Sequence, residues 1–136
     1  MTETVTLVGA GPGGAELLTR GGGAALRQAD AVVYDRLVDE SILDLIPKGA
    51  ERICVGKKMG HHPVPQDEIN ALLVRLARQG KRTVRLKGGD CYLCGRGGEE
   101  CEYLKAHGVP FRVLPGVTSA LAAPAFAGIP VTHRDF

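Results

Sequence analysis

Short apolar, β-branched runs alternate along this chain with segments of helical periodicity, and this alternation constrains the fold more than any other feature. The apolar runs occupy residues 4–8, 31–34, 52–55, 83–86 and 111–114. The segments between them predict helices that start near residue 15, cover 40–46, 65–77 and 97–106, and run from about 118 to about 128. Strands and helices that alternate in this way form parallel βαβ units with right-handed crossovers. We therefore predict an α/β domain with about five mostly parallel strands flanked by helices.

The bulk composition limits where this chain can act. Its 136 residues suit one domain, and 44% apolar with 24% charged residues are typical of globular proteins. A formal charge of +2 is too small to favour nucleic acid, and the lack of tryptophan argues against a base-stacking surface. No apolar run reaches the roughly 18 residues that span a bilayer. We therefore expect a cytoplasmic protein with four reduced cysteines and no membrane or nucleic-acid partner.

A glycine-rich stretch follows the fourth predicted strand and covers residues 85–100. It carries five glycines within eleven residues, with Asp90 and Arg96 among them. Adjacent glycines such as Gly88 and Gly89 let the backbone adopt positive φ and lie directly against a ligand. Open α/β sheets bind small molecules at the carboxyl ends of their strands, where this stretch begins. The pattern favours a ligand-binding loop over the alternative of a flexible surface linker.

A second glycine-rich turn follows the first strand and matches the dinucleotide-binding fingerprint. Gly9, Gly11 and Gly14 satisfy G-x-G-x-x-G, and Asp35 lies 21 residues beyond Gly14, where a ribose-binding acid is expected. The match is weak, because Pro12 removes a backbone donor from the turn that must cradle a pyrophosphate. A nicotinamide or flavin oxidoreductase domain is thus the minor interpretation.

Two charged residues stand at the ends of the second and third predicted strands. Asp35 follows residues 31–34, and Lys57 follows 52–55 and a glycine. Parallel strands bring their carboxyl ends to one edge of the sheet, so both side chains can face a common pocket with the glycine-rich stretch. The alternative for Asp35 is that it caps the predicted helix 40–46. The alternative for Lys57 is an ordinary solvated loop lysine.

The pair Cys91 and Cys94 forms a C-x-x-C motif, which occurs in redox sites and in zinc sites. A zinc site needs two further ligands, and Cys101 is an irregular supplement. The adjacent His61 and His62 point in different directions and make a poor metal pair. We therefore predict no metal site.

The motifs LKGGD and GRGGEE resemble those of the S-adenosylmethionine-dependent tetrapyrrole methylases. The resemblance extends to YDRL, GKK and THR, and it covers residues 5–136. It is strongest to the branch of the family that methylates uroporphyrinogen III. It implies that residues 1–136 are the amino-terminal lobe of a two-lobed, homodimeric protein whose second lobe is absent from this chain. Cys91 and Cys94 stand where the family has proline and phenylalanine, which indicates packing substitutions.

The resemblance also implies a reaction, namely methyl transfer from S-adenosylmethionine to two pyrrole carbons of uroporphyrinogen III. The product would be precorrin-2, on the route to sirohaem or cobalamin. On the family pattern, Asp35 matches the proton acceptor and Lys57 the proton donor. The positions that match cofactor contacts are Pro12, Gly88, Gly89, Asp90, Leu93, Thr118 and Ser119. The cationic side chains expected to pair with the carboxylates of the substrate are Arg36, Arg96, His133 and Arg134.

Two alternatives remain open from the sequence. One is a methylase of the same fold that acts on a later corrin precursor, a diphthine intermediate or ribosomal RNA, although YDRL, GKK and THR favour uroporphyrinogen. The other is a dinucleotide-binding oxidoreductase domain or a non-catalytic dimerisation module. Binding of S-adenosylhomocysteine or of NADH separates these classes.

Overall fold

In the computed structural model, which describes residues 1–56, 60 and 62–136, five parallel strands form one sheet. The strands are β1 (Val5–Gly9), β2 (Ala31–Tyr34), β3 (Glu51–Cys54), β4 (Thr83–Lys87) and β5 (Phe111–Leu114). Their order across the sheet is β3-β2-β4-β1-β5, and each neighbouring pair is parallel. The prediction of an α/β domain with about five mostly parallel strands is confirmed.

The helices of the described residues are α1 (Arg20–Arg27), α2 (Glu40–Leu43), α3 (Gln66–Arg78), α4 (Gly97–Ala106) and α5 (Ser119–Phe126). The ends of α3 and α4 lie within one residue of the predicted bounds. Gly80 and Gly108 follow these two helices with φ of +78° and +68°, the left-handed conformation that commonly ends a helix. No helix in the described part of the chain is both long and apolar enough to cross a membrane.

The first helix begins later than the sequence predicts. Residues 15–17 form a single 3-10 turn, and α1 starts at Arg20. The Thr19 side chain accepts a hydrogen bond from the Gly22 N–H at 3.0 Å, which caps the helix at this point. Gly22 is needed there for a packing reason, because a Cβ on it would lie 2.9 Å from the Cγ1 atom of Val8. The glycines therefore let α1 pass close over β1, although glycine is a poor helix former.

The residue that caps the start of α2 is Asp39 and not Asp35. Asp39 is the N-cap residue, and its Oδ1 accepts a hydrogen bond from the Ser41 N–H at 2.8 Å. The hydrogen bonds from the hydroxyl and the N–H of Ser41 lower the pKa of the Asp39 carboxyl. The alternative that Asp35 caps this helix is wrong, because the chain reaches the helix start only four residues later. The helix is also shorter than the predicted 40–46.

The core consists of two apolar layers, one on each face of the sheet. In one layer, Leu7 of β1 packs with Leu73 of α3 and Leu104 of α4. In the other layer, Leu86 of β4 packs with Leu26 of α1. All five side chains are fully buried, and each such burial stabilises the fold by about 1.5–3 kcal/mol. Because helices cover both faces, the sheet leaves only its edges and strand ends for a ligand.

The strand order contradicts the dinucleotide-binding interpretation of the first glycine-rich turn. In dinucleotide-binding folds, strand 1 lies beside strand 2. Here β4 separates them, pairing Val5 of β1 with Thr83 and Ala31 of β2 with the same residue. The turn after β1 therefore faces the loop after β4, and its glycines meet backbone from that loop.

Candidate functional site

A cavity of about 390 Å³ lies at the carboxyl ends of the strands. This volume is within the range of small-molecule sites, roughly 300–1,000 Å³. Its lining residues are Gly11, Pro12, Asp35, Leu37, Gly88, Gly89, Asp90, Leu93, Thr118 and Ser119. The structure thus brings together Asp35 and all seven residues that were predicted to contact a cofactor. They come from four loops that are distant in sequence.

A larger depression of about 730 Å³ lies at the opposite edge of the sheet, where strands begin. Two of its lining residues, Asp30 and Arg82, form an ion pair with an Nε–Oδ2 distance of 3.1 Å. The Arg82 side chain lowers the pKa of the Asp30 carboxyl through its hydrogen bonds. The charged pair in this depression is therefore already satisfied. In the cavity at the carboxyl edge, by contrast, a carboxylate oxygen of Asp35 has no hydrogen-bond partner among the described residues.

Three glycines hold the loops of the site together by close backbone contact. A Cβ on Gly9 would lie 2.5 Å from the backbone nitrogen of Gly116 and 2.7 Å from the carbonyl oxygen of Gly89. A Cβ on Gly116 would overlap that same carbonyl oxygen. The loops after β1, β4 and β5 therefore approach each other at distances that only glycine permits.

Two backbone hydrogen bonds join the loop after β1 to the loop after β4. The Gly11 N–H donates to the Gly89 carbonyl at 3.1 Å, and the Gly89 N–H donates to the Gly11 carbonyl at 2.9 Å. Both glycines have positive φ, +79° for Gly11 and +63° for Gly89. This conformation is costly for a residue with a Cβ, so the bridge explains why both loops carry glycine at these positions.

Asp90 ties the loop after β4 to the loop after β5. Its Oδ1 accepts a hydrogen bond from the Gly116 N–H at 2.9 Å, and its Oδ2 accepts one from the Tyr92 N–H at 3.0 Å. A carboxylate has about four acceptor positions, so two remain available toward the cavity that Asp90 lines. Asp90 thus both shapes the site and presents negative charge to it.

Asp35 has the polar atom that most clearly lacks a partner. Its Oδ1 is buried and has no hydrogen-bond partner among the described residues. Buried polar atoms are rarely left in this state, and each exception calls for an explanation such as a ligand or a catalytic role. The end of β3 passes close by, because a Cβ on Gly56 would lie 2.6 Å from the backbone nitrogen of Arg36. Lys57, the predicted proton donor, follows Gly56 and lies outside the described residues.

The four residues predicted to bind substrate do not line the cavity. Arg36 and Arg96 are exposed, each in a loop that contributes another residue to the lining. His133 and Arg134 are exposed in the segment after α5, where the His133 ring packs against Phe136 at a centroid distance of 5.1 Å. Their assignment to substrate carboxylates stays a prediction.

Two lining residues were not predicted. Gly11 had been considered only as part of the dinucleotide fingerprint. Leu37 is 92% exposed, although it is a large apolar residue next to Arg36. A leucine in a sequence does not by itself predict a ligand site. Only the position of Leu37 between Asp35 and α2 could have indicated that it lines the cavity.

The cysteine pair of the C-x-x-C motif has two different environments. Cys91 is fully buried, and burial raises the pKa of its thiol to about 12. Cys94 is exposed, at a φ of +63°. In the described ranges, no group of three or more histidine, cysteine or acidic side chains is placed to hold a metal ion. Burial therefore favours the protonated form of the Cys91 thiol, which is a poor nucleophile.

Comparison with protein families identifies the relatives of this chain. The family described as tetrapyrrole (corrin/porphyrin) methylases matches residues 4–136. The chain belongs to this family. It is 60% identical over 131 residues to a siroheme synthase of Serratia proteamaculans and 59% identical over 134 residues to one of Pseudomonas aeruginosa. These matches cover 96% and 98% of this chain but only 28% and 29% of the relatives.

Solved structures of the family have the same fold. A uroporphyrin-III-C-methyltransferase of Thermus thermophilus is 46% identical, with a TM-score of 0.87 over 98% of this chain and 56% of that one. A second Thermus thermophilus structure, complexed with S-adenyl homocysteine, is 52% identical with a TM-score of 0.80 over 96% and 54%. The tetrapyrrole methylase fold is thus shown, and the chain spans just over half of these structures.

Proposed function

We propose that this chain supplies the catalytic edge of an enzyme that methylates uroporphyrinogen III with S-adenosylmethionine and so forms precorrin-2. The observation that carries the proposal is the Asp35 carboxylate oxygen, which is buried in a glycine-lined cavity and has no hydrogen-bond partner within residues 1–56, 60 and 62–136. Support comes from the relatives named siroheme synthase and from the neighbours named uroporphyrin-III C-methyltransferase. The substrate and the product are part of the proposal.

The cavity fits the methyl donor in size and in charge. Asp35 and Asp90 both present carboxylates to it, which suits a ligand with an ammonium group and a sulfonium centre. The backbone of Gly88 and Gly89 lines the same cavity, and no described side chain, chain neighbours aside, lies within 4 Å of a Cβ placed on either glycine. When bound, S-adenosylmethionine supplies the methyl group. The residues proposed to hold it are Pro12, Gly88, Gly89, Asp90, Leu93, Thr118 and Ser119.

Asp35 is proposed to act as the general base. An electron-rich pyrrole carbon that gains a methyl group must lose a proton, and a carboxylate within reach can take it. The Asp35 Oδ1 has no competing hydrogen bond among the described residues, so its lone pairs are available. Lys57 follows the neighbouring strand end and is proposed as the proton donor. General acid–base catalysis of this kind contributes about 10²–10⁴-fold to a rate.

The rim of the cavity is proposed to bind the carboxylates of the substrate. Arg36 and Arg96 extend the loops of Asp35 and Leu93, and His133 and Arg134 belong to the exposed segment after α5. A guanidinium group pairs with a carboxylate through two parallel hydrogen bonds, which fixes direction as well as charge. Uroporphyrinogen is rich in carboxylates, so a cationic rim suits it.

Residues 1–136 are proposed to form one lobe of a larger, dimeric cytoplasmic enzyme of sirohaem or cobalamin biosynthesis. The chain covers 28% of the siroheme synthase of Serratia proteamaculans, so that relative contains much more than this lobe. Several apolar side chains after the start of α5 are exposed, with Phe126 76% and Ile129 60% accessible. A second lobe that packs on this end would bury them.

A related reaction is the second candidate. A cobalt precorrin-4 methyltransferase structure is 34% identical to this chain, with a TM-score of 0.84 over 97% of it. The same lobe therefore serves a protein named for a later corrin substrate. Substrate comparison separates the candidates, because only the first predicts methylation of uroporphyrinogen III.

Methyl transfer with the natural protein that contains these residues tests the proposal. We expect incorporation of two labelled methyl groups from S-adenosylmethionine into uroporphyrinogen III, and binding of S-adenosylhomocysteine by calorimetry. A protein that binds S-adenosylhomocysteine but methylates only a later corrin precursor would support the second candidate. A protein that binds NADH and not S-adenosylhomocysteine would contradict both.

A further inference from the structure

Three charged side chains, here named the charge triad, lie buried beside the glycine-rich loop. They are Arg85 and Lys87 of β4 and Glu100 of α4. Arg85 Nε donates to Glu100 Oε2 at 2.7 Å, and Lys87 Nζ donates to Glu100 Oε1 at 2.6 Å. The Glu100 side chain is fully buried, and the two cations are each only 5% exposed. The proposed reaction uses none of the three.

The triad contains more charge than a structural ion pair needs. Arg85 and Glu100 alone would form a neutral pair, and Arg85 also donates to the carbonyls of Val33 and Leu86 at 3.4 and 3.5 Å. Removing a second cation from water is costly unless its hydrogen bonds are satisfied. Lys87 therefore requires its own explanation.

The second hydrogen bond of Lys87 supplies that explanation. Lys87 Nζ also donates to the carbonyl of Gly95, in the middle of the glycine-rich loop. The loop is unusual there, because Cys94, Gly95 and Arg96 have φ of 63°, 75° and 62° in succession. Residues with a Cβ avoid this left-handed region. Such conformations persist only where the surroundings hold them, and they concentrate at functional sites.

We propose that Lys87 is a positioning residue that holds the left-handed turn 94–96 in place through its hydrogen bonds to the Gly95 carbonyl and to Glu100, an arrangement here named the clamp. Building on the proposed function, the clamp holds Leu93 against the cofactor cavity on one side of the turn and fixes the start of α4 on the other. Lys87 reaches no ligand itself, since its ammonium group is buried toward Glu100 and Gly95. Arg85 has the same carboxylate partner, and its hydrogen bonds to described residues go to β2, β4 and α4, so it belongs to the core.

Two matched variants separate the clamp from the rest of the triad. Lys87→Met and Arg85→Met each remove one buried cation, and each leaves a neutral pair with Glu100. Only Lys87→Met loses the bond to the loop. Cys91 offers a readout that requires no cofactor, because it is fully buried at the start of this loop and becomes accessible when the loop opens. Alkylation of each cysteine is followed by mass spectrometry in the natural protein, with free glutathione in the same reaction as the reference for reagent reactivity.

We expect Lys87→Met to accelerate alkylation of Cys91 at least about tenfold and to weaken binding of S-adenosylhomocysteine by a similar factor, with Arg85→Met changing each by less than about threefold. Equal effects in the two variants would overturn the clamp, and so would an unchanged Cys91 rate in Lys87→Met. A Lys87→Met protein that does not fold would also overturn it, because the proposal confines the effect to the loop. If the unaltered protein does not bind S-adenosylhomocysteine, the proposed function fails, while the Cys91 rates still decide about the clamp.

Discussion

The Asp90 carboxylate accepts a hydrogen bond from the Gly116 N–H at 2.9 Å and thereby joins the loop after β4 to the loop after β5. A second hydrogen bond, from the Tyr92 N–H at 3.0 Å, holds the same carboxylate from within its own loop. The role of Asp90 as a cofactor contact stays a prediction, and the structure shows that Asp90 joins two loops of the site. The loop contact affects the stability of the fold, and the predicted cofactor contact affects ligand affinity, so the two roles can be measured separately.

Asp90→Ala should therefore lower stability as well as affinity for S-adenosylhomocysteine. It leaves two backbone donors without their acceptor, and the partial exposure of Asp90 reduces the cost to about 1–3 kcal/mol. Asp90→Asn keeps one acceptor oxygen and should fall between Asp90→Ala and the unaltered protein. Urea denaturation and calorimetry measure the two effects. Wild-type stability in Asp90→Ala, with affinity alone reduced, would show that Asp90 serves only the ligand.

Gly116→Ala should open the site by separating its loops. The added Cβ would overlap the carbonyl oxygen of Gly89, and backbone on both sides must move to accept it. Overpacking of this kind costs about 1–3 kcal/mol, and we expect S-adenosylhomocysteine affinity to fall at least about tenfold. Gly98→Ala is the control, since no atom of the described residues, beyond its chain neighbours and the backbone of its own helix, lies within 4 Å of the added Cβ. Alanine also favours the helix α4. Similar affinities in the two variants would contradict the close-contact account.

The buried thiol of Cys91 predicts a loss of stability in alkaline solution. Burial raises its pKa from 9.0 to about 12. Below pH 9.0 the thiol is protonated in the folded and unfolded chains alike, so it adds no pH dependence. As pH rises from there to about 12, the unfolded chain loses this proton and the folded chain keeps it, so the free energy of unfolding falls. One such group contributes a slope of at most about 1.4 kcal/mol per pH unit.

The free energy of unfolding, measured across this pH window in two variants, tests whether Cys91 causes the decline. Cys91→Ala should have a shallower decline than the unaltered protein, whereas Cys94→Ala should keep it, because Cys94 is exposed. Tyr92 remains in both variants, and its pKa, raised to about 12 by the hydrogen bond to Cys101, contributes a decline that they share. An equal slope in all three proteins would contradict the prediction.

The sequence predicts the strands and the cavity well for a simple physical reason. Buried parallel strands are short apolar runs, and the glycines and aspartates that follow them mark the one edge where polar groups can meet a ligand. Asp35 follows β2, and Gly89 and Asp90 follow β4. These two strands are neighbours in the sheet, although their paired residues Ala31 and Thr83 are 52 positions apart in the chain. Pattern along the chain cannot give that adjacency.

Other features depend on contacts that no local pattern contains. The start of α1 is set by the Thr19 cap and by the close passage of Gly22 over Val8, and helical periodicity alone placed it several residues too early. The charge triad gives a faint signal, because Arg85 and Lys87 alternate with an apolar residue and so share one face of a buried strand. Their common partner is on α4, and only the packed structure identifies it.

Asp35 is proposed to remove a proton during methylation, and turnover of Asp35→Asn in the natural protein tests this role. Asparagine keeps the shape of the side chain and abolishes its basicity. Asp39→Asn is the matched control, because Asp39 caps α2 and asparagine caps a helix equally well. We predict that Asp35→Asn lowers turnover at least about 100-fold with little change in S-adenosylhomocysteine affinity, while Asp39→Asn alters neither. Near-normal turnover in Asp35→Asn would contradict the account.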